Sequence, residues 1–253
     1  MRPLRHAVAR HRPPLPADTG KTVWLFDLDN TLHDCSKGIF SAIDGAMSRA
    51  VASSLQLSAQ DADVLRKEYW RRYGATVIGM VRHHGIKAGT FLHLSHDFDV
   101  ASLVHSEYGL ARKLRRLNGH KILLTNAPTE YARTVLKTLG ILHHFDGIWT
   151  IEHMALQGRI RPKPSPGLMK QVLARLRVPA RRVVLVEDTL RNLKSARQAG
   201  MRTVHVYHPG TPFSALHAGR ALYVDVRVNS VGRLAGVRPH AGSDPAVART
   251  VAT

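Results

Sequence analysis

Two carboxylates stand one residue apart at the end of an apolar run, where Thr22-Val23-Trp24-Leu25-Phe26 leads into Asp27-Leu28-Asp29-Asn30-Thr31-Leu32. Acids crowded in this way are costly to ionise together unless a cation or a reaction uses them. A strand of this length would deliver the pair to the carboxyl edge of a parallel sheet, where open α/β folds bind ligands. Asp, Asn and Thr are also good turn residues, so a plain strand-to-turn junction is the lesser alternative for the segment taken alone. Three later segments shift the balance. Lys121 to Leu124 runs into Thr125-Asn126, a hydroxyl and an amide donor, and Arg182 to Val186 runs into Glu187-Asp188-Thr189, a second acidic pair. Between them Arg161-Pro162-Lys163-Pro164-Ser165-Pro166 presents a cation on a stiff, proline-held approach to a helix. Each has a plain structural explanation: a turn, a solvated surface charge, helix N-terminal acids. Their joint appearance in this order suits a site for a phosphate.

The elements that must position these residues follow from periodicity. Apolar runs at Thr22–Phe26, Lys121–Thr125, Gly147–Ile151, Arg182–Val186 and Arg202–Val206, with a weaker one at Leu222–Val226, predict strands buried on both faces. Helical spacing at Glu130–Leu139, Ser165–Leu176 and Thr189–Ala199 places helices between them, which implies an α/β fold with a parallel sheet covered on both sides. From about Gly38 to Gly109 the rhythm breaks into helical patterns, including Ile39–Leu55 and Ala59–Tyr73, with no convincing strand. The expected organisation is a basic, Arg- and Pro-rich extension over 1–20, a core over 21–37 and 110–236, an inserted α-helical cap over 38–109, and a frayed tail over 237–253.

With these residues in place, the sequence resembles the haloacid dehalogenase superfamily, whose signature is DxDxT, a strand-end Thr or Ser, a Lys and a late acidic pair. The match falls on Asp27 and Asp29, Thr125, Lys163, and Glu187 with Asp188. FDLDNTLHD, LLTNAP, the KP segment and VEDTLRNLKSARQAGM resemble more narrowly the pyrimidine 5′-nucleotidase branch. The resemblance implies a Rossmann-like core and a Mg²⁺-dependent phosphatase. Asp27 would be the nucleophile that forms an aspartyl-phosphate, and Asp29 the general acid and then base. Thr125, Asn126 and Lys163 would hold the phosphoryl oxygens. Mg²⁺, which prefers hard oxygen ligands, would be held by Asp27, the Asp29 backbone carbonyl and Asp188, with Glu187 orienting metal-bound water or exchanging roles with Asp188. Dehalogenating relatives lack the second acid of the DxD pair, so Asp29 favours phosphate-ester chemistry.

Selection of the rest of the substrate would fall to the cap and the loop after Asp29. His33, His83, His84, His93, His96, Asp97 and Asp99 are the polar candidates, with His96 and Asp97 the first choice for contact with substrate. Tyr69, Trp70, Tyr73, Phe91 and Phe98 either stack on a base or fill the cap core, and helical spacing favours the core. Asn192 is expected on the first turn after the acidic pair, where it either braces the metal loop or is a helix-face amide without function.

Composition narrows the alternatives. The 253 residues are 44% hydrophobic, enough for one substantial core and a smaller insert. No stretch approaches the roughly 18 apolar residues of a membrane span, and the N-terminal MRPLRHAVARHRPPLP has no secretory pattern, so the cytoplasm is the expected location. The lone Cys35 excludes an internal disulfide and fits a buried thiol. The net charge of +19 raises nucleic-acid binding, but the cations are spread along the chain with no recognisable module, which fits attraction of anionic metabolites better. The expected substrate is a small phosphorylated metabolite, first a nucleoside 5′-monophosphate. A sugar phosphate or phosphoglycolate is the alternative enzyme reading, and a non-catalytic nucleic-acid-associated protein the third.

Overall fold

In the computed structural model, residues 20–156, 158–207 and 222–236 are described. Of the extension expected over 1–20, residues 1–19 lie outside the described residues, as does the whole tail expected over 237–253. Six strands form one parallel sheet in the order β3-β2-β1-β6-β7-β8. They are β1 (Val23–Phe26), β2 (His120–Leu124), β3 (Gly147–Trp149), β6 (Val183–Glu187), β7 (Arg202–Val206) and β8 (Val226–Val228), while β4 (Ala155–Leu156) and β5 (Arg159–Ile160) form a separate antiparallel pair. β1 is central and fully buried, as its continuous apolar run requires of a strand covered on both faces. Its side chains alternate between two cores. Trp24 and Phe26 face a cluster with Leu114, Tyr131, Val135 and Leu136 from α5 (Leu110–Arg116) and α6 (Thr129–Thr138). Val23 and Leu25 face Leu168, Val172, Leu193 and Ala196 from α7 (Pro166–Leu176) and α8 (Leu190–Gln198). Each fully buried Leu or Val adds on the order of 1.5–3 kcal/mol of hydrophobic stabilisation, so the strand that carries the site is among the best anchored.

Register brings the polar strand ends together. Phe26 pairs with Leu123 on one side and Val186 on the other, so Asp27, Thr125 and Glu187 all emerge at one sheet edge. The Asp27 N–H donates to Val186 O (3.0 Å), and the Thr125 N–H to Trp149 O (2.9 Å), extending the ladder to the catalytic candidates themselves.

Between β1 and α5 the chain forms four helices: α1 (Ile39–Leu55), α2 (Ala59–Tyr73), α3 (Thr76–His84) and α4 (Ala88–Leu94). No strand interrupts them among the described residues. α2 begins at Ser58, whose hydroxyl accepts from the Asp61 N–H (3.1 Å), and stops at Gly74 in the left-handed conformation that glycine tolerates. These helices bury a core of their own with Val51, Tyr69, Met80, Phe91 and Leu92. α2 and α3 approach so closely that a β-carbon on Gly79 would collide with the Tyr69 ring.

Two expectations need correction. The last strand is Val226–Val228 rather than Leu222–Val226, because Leu222 is 79% exposed and the chain joins the sheet only when Val204 meets Val226. The β4–β5 pair was not foreseen, since two-residue strands carry no periodicity. No helix among the described residues is long and apolar enough to cross a membrane.

Candidate active site

Lys163 organises the site. It arrives just ahead of α7, whose start is fixed by Pro166 and by Ser165, the N-cap that accepts from the Leu168 N–H (3.4 Å). Asn126, following β2, clasps the lysine's backbone from both sides: its Nδ2 donates to Lys163 O (3.0 Å) and its Oδ1 accepts from Lys163 N–H (2.9 Å). The amide that sequence assigned to phosphate is therefore directed at the lysine. Lys163 is 2% exposed, and its ammonium lies 2.7 Å from Asp27 Oδ1 and 2.7 Å from Glu187 Oε2. Glu187 is fully buried, and its other oxygen accepts from the Thr189 N–H (3.1 Å). Both its oxygens are thus engaged in holding Lys163 and the turn into α8.

One cation faces three buried acids. Carboxylate oxygens of Asp27, Glu187 and Asp188 all lie within 4.8 Å of one another. Burial, reinforced by Glu187, pushes Asp27 well above the usual carboxylate range despite Lys163. Burial likewise raises Glu187, and it raises Asp188 to about 6. The two acids hold Lys163 protonated against the effect of its own burial. A cluster with more buried negative than positive charge is suited to a further cation, and three hard oxygen donors suit Mg²⁺. Asp188 is steadied by Thr189 Oγ1 (3.1 Å) and, through its backbone carbonyl, by His205 Nε2 (3.0 Å) from β7.

Asp29 has a different environment. The chain turns sharply at Asn30, a non-glycine residue with φ 55°, and Leu32 N–H returns to Leu28 O (2.9 Å). The Asn30 side chain accepts from the Cys35 N–H (3.0 Å) and closes the loop. Three groups gather on Asp29 Oδ1: Tyr131 OH at 2.7 Å, His33 Nε2 at 2.9 Å and Cys35 Sγ at 3.5 Å. Burial alone would raise this acid, but the hydrogen bonds and charge of His33, with Tyr131 and Cys35, bring it below the usual value. Cys35 is buried as expected, and burial beside Asp29 pushes its thiol up.

Above this edge opens a cleft of about 510 Å³. Asp27, Asp29, Thr125, Asn126, Lys163, Asp188 and Asn192 line its floor; Phe40, Ile43, Met47, Trp70, Phe91 and Leu92 supply apolar walls from the inserted helices. Arg66 also lines it, held by Asp44 (2.7 Å) and Asp63 (2.7 Å). His96 reaches the cleft, whereas Asp97, its expected companion, is exposed and outside the lining. Tyr69 and Phe91 fill the insert's core, while Trp70 is half exposed at the cleft. His83 and His84 are taken by Tyr73 OH (2.6 Å) and Tyr69 OH (2.8 Å), and do not line the cleft. Tyr131 and His205 escaped sequence reasoning: their partners lie 102 and 17 positions away, and neither occurs in a local pattern. His33 was noticed only as one histidine among several.

A family model described as haloacid dehalogenase-like hydrolase matches residues 22–200. Phosphate metabolism protein 8 of Saccharomyces cerevisiae is 25% identical over 78% of this chain, which spans 64% of the yeast protein's length. A phosphoglycolate phosphatase of Yersinia pseudotuberculosis is 27% identical over 69% of this chain and 76% of its own. Among solved structures, CbbY from Rhodobacter sphaeroides in complex with phosphate aligns with TM-score 0.57 at 20% identity, covering 85% of this chain and 96% of that one. A similar core appears in a HAD phosphatase from Thermococcus onnurineus, at TM-score 0.54, 21% identity and 85% and 95% coverage. With the family model spanning most of the sequence and including every residue that lines the cleft, the chain belongs to the haloacid dehalogenase-like hydrolase family.

Proposed function

We propose that this protein is a Mg²⁺-dependent phosphate-monoester hydrolase working through an aspartyl-phosphate on Asp27, and that its substrate is a small phosphorylated metabolite, first a pyrimidine nucleoside 5′-monophosphate. The observation that carries the reading is the pairing of Asp27 with Lys163 at 2.7 Å on the cleft floor, with a second acid, Asp29, two residues on. A phosphate monoester repels an anionic nucleophile, so the site must neutralise charge and hold attacker and phosphorus in line. Lys163 screens Asp27 and offers its ammonium to a phosphoryl oxygen; the Thr125 hydroxyl, at the end of the neighbouring strand, is placed to donate to another. Asp27, Asp188 and the Asp29 carbonyl would hold Mg²⁺, which when bound supplies positive charge beside the phosphoryl group. Glu187 holds Lys163 in place. Asp27 attacks phosphorus as the ester P–O bond breaks; the ester oxygen keeps the electron pair and takes a proton from Asp29, which is held below the usual carboxylate range in the free site and gains that proton beside the bound phosphate dianion, whose negative charge favours the neutral acid. Asp29 then takes a proton from the water that attacks the aspartyl-phosphate, releasing inorganic phosphate and the Asp27 carboxylate. The helical insert acts as the cap, limiting water access to the acyl phosphate.

The cleft favours a nucleotide. Its volume falls within the range of roughly 300–1,000 Å³ for small-molecule sites, and Phe40, Met47, Trp70 and Phe91 offer apolar surface for a base and sugar. The relatives named phosphoglycolate phosphatase favour a second reading, a small phosphorylated acid, with the same chemistry on the floor. Phosphate release should be measured over a panel of nucleoside monophosphates, phosphoglycolate and sugar phosphates, with Mg²⁺ and with chelator. The expected outcome is Mg²⁺-dependent turnover highest on UMP or CMP, falling by at least about three orders of magnitude in Asp27→Asn. Highest turnover on phosphoglycolate would replace the substrate and keep the mechanism; turnover retained by Asp27→Asn would refute the mechanism.

A further inference from the structure

The three groups around Asp29 do not surround it evenly. Tyr131 OH (2.7 Å), His33 Nε2 (2.9 Å) and the more distant Cys35 Sγ (3.5 Å) all meet Oδ1, and among the described residues Oδ2 has no hydrogen-bond partner. Asp29 lines the cleft, its side chain 25% exposed, so the unengaged oxygen is the one left to substrate. Two of these donors are themselves fixed. Tyr131 is 3% exposed on α6, with the insert's His96 packed edge-on at 5.3 Å between ring centres. His33 is 3% exposed and held by a loop that Asn30 Oδ1 closes through the Cys35 N–H at 3.0 Å.

We infer that Tyr131 and His33 are positioning residues for the acid: by pinning Asp29 Oδ1 they make Oδ2 the oxygen that hands a proton to the leaving group. The inference rests on the phosphatase reading of the same site. When the ester P–O bond breaks, its electron pair stays on the ester oxygen and the proton of Asp29 Oδ2 moves to it. The negative charge left on Asp29 is met at Oδ1 by donors already in place, at no cost of reorganisation during the step. In the second half-reaction the same Oδ2 receives the proton of the attacking water.

An alkoxide leaving group needs this proton, whereas p-nitrophenolate departs without one, and kcat/KM reports the step in which the leaving group departs. The test therefore compares kcat/KM on p-nitrophenyl phosphate and on UMP for wild type, Tyr131→Phe and His33→Asn, with Asp27→Asn as reference. Tyr131→Phe keeps the ring and removes only the hydroxyl, so it preserves the packing of α6 even if His33→Asn folds poorly. Positioning predicts that the ratio of aryl to alkyl kcat/KM rises at least about tenfold in Tyr131→Phe, as expected when a general acid is misaligned. An equal fall on both esters, or none, would overturn the inference while leaving the phosphatase reading intact. Turnover by Asp27→Asn, or none by wild type on either ester, would instead remove that reading and the inference with it.

Discussion

Asp27, Glu187 and Asp188 share one buried neighbourhood in which, among the described residues, Lys163 is the single cation, and this imbalance has a thermodynamic consequence. A carboxyl group whose folded pKa lies above its unfolded value binds its proton more tightly in the folded state. Its stabilising contribution is complete below the unfolded pKa and is lost as pH rises through the folded one. For Asp188 that window runs from 3.8 to about 6, worth on the order of 3 kcal/mol, and Asp27 and Glu187 act in the same direction. Asp29 is shifted the other way, so its share is lost only below the ordinary carboxylate value, outside this window. The metal-free protein should therefore melt at a higher temperature near pH 5 than near pH 7.5, and Mg²⁺ should raise the midpoint more at the higher pH. Calorimetry with chelator and with Mg²⁺ checks both; a metal-free optimum at neutral pH, unmoved by Mg²⁺, would contradict the charge balance described. At this scale the sequence was informative wherever chemistry is local. Asp27 and Asp29, or Glu187 and Asp188, identify themselves by following an apolar run. Tyr131 and His205 do not, because what they do depends on partners supplied by other elements, and the hold of the Asn126 amide on the Lys163 backbone was hidden for the same reason.

Among the elements, α1 and α2 begin and end where periodicity places them, and Ser58 and Gly74 cap the two ends of α2. β8 and the β4–β5 pair were misread or missed because they are two or three residues long, and β8 carries Arg227 at its centre. The contact between α2 and α3 was equally hidden: Gly79 gives no sign in sequence that the Tyr69 ring lies over it. Gly79→Ala should therefore destabilise the protein by about 1–3 kcal/mol through overpacking. Gly89→Ala, with nothing within 4 Å of the added methyl, should be neutral or stabilising by up to about 1 kcal/mol, because alanine is the better helix former. Urea denaturation of the two variants makes the comparison; similar destabilisation in both would mean that α2 and α3 are not held this closely.

For the molecule as a whole, a parallel sheet interrupted after its first strand was readable from the order of apolar runs, since strands buried on both faces need intervening helices. Which insert residues turn toward the cleft was not readable, because a helix presents apolar side chains both to its own core and to a ligand. Phe91 belongs to both the insert core and the cleft wall, whereas Trp70 is exposed at the wall. The net charge of +19 attracts anions to the molecule, and among the described core residues lining the cleft Lys163 is the one side-chain cation that could meet a phosphoryl group over the acids of the floor. On the proposed mechanism phosphorus passes covalently through Asp27. Borohydride added during turnover reduces an aspartyl-phosphate to homoserine, and peptide mapping by mass spectrometry then locates it. Homoserine is expected at position 27 in protein quenched with substrate and Mg²⁺, and none without substrate. Homoserine at position 29 or 188, or its absence during confirmed turnover, would contradict the mechanism.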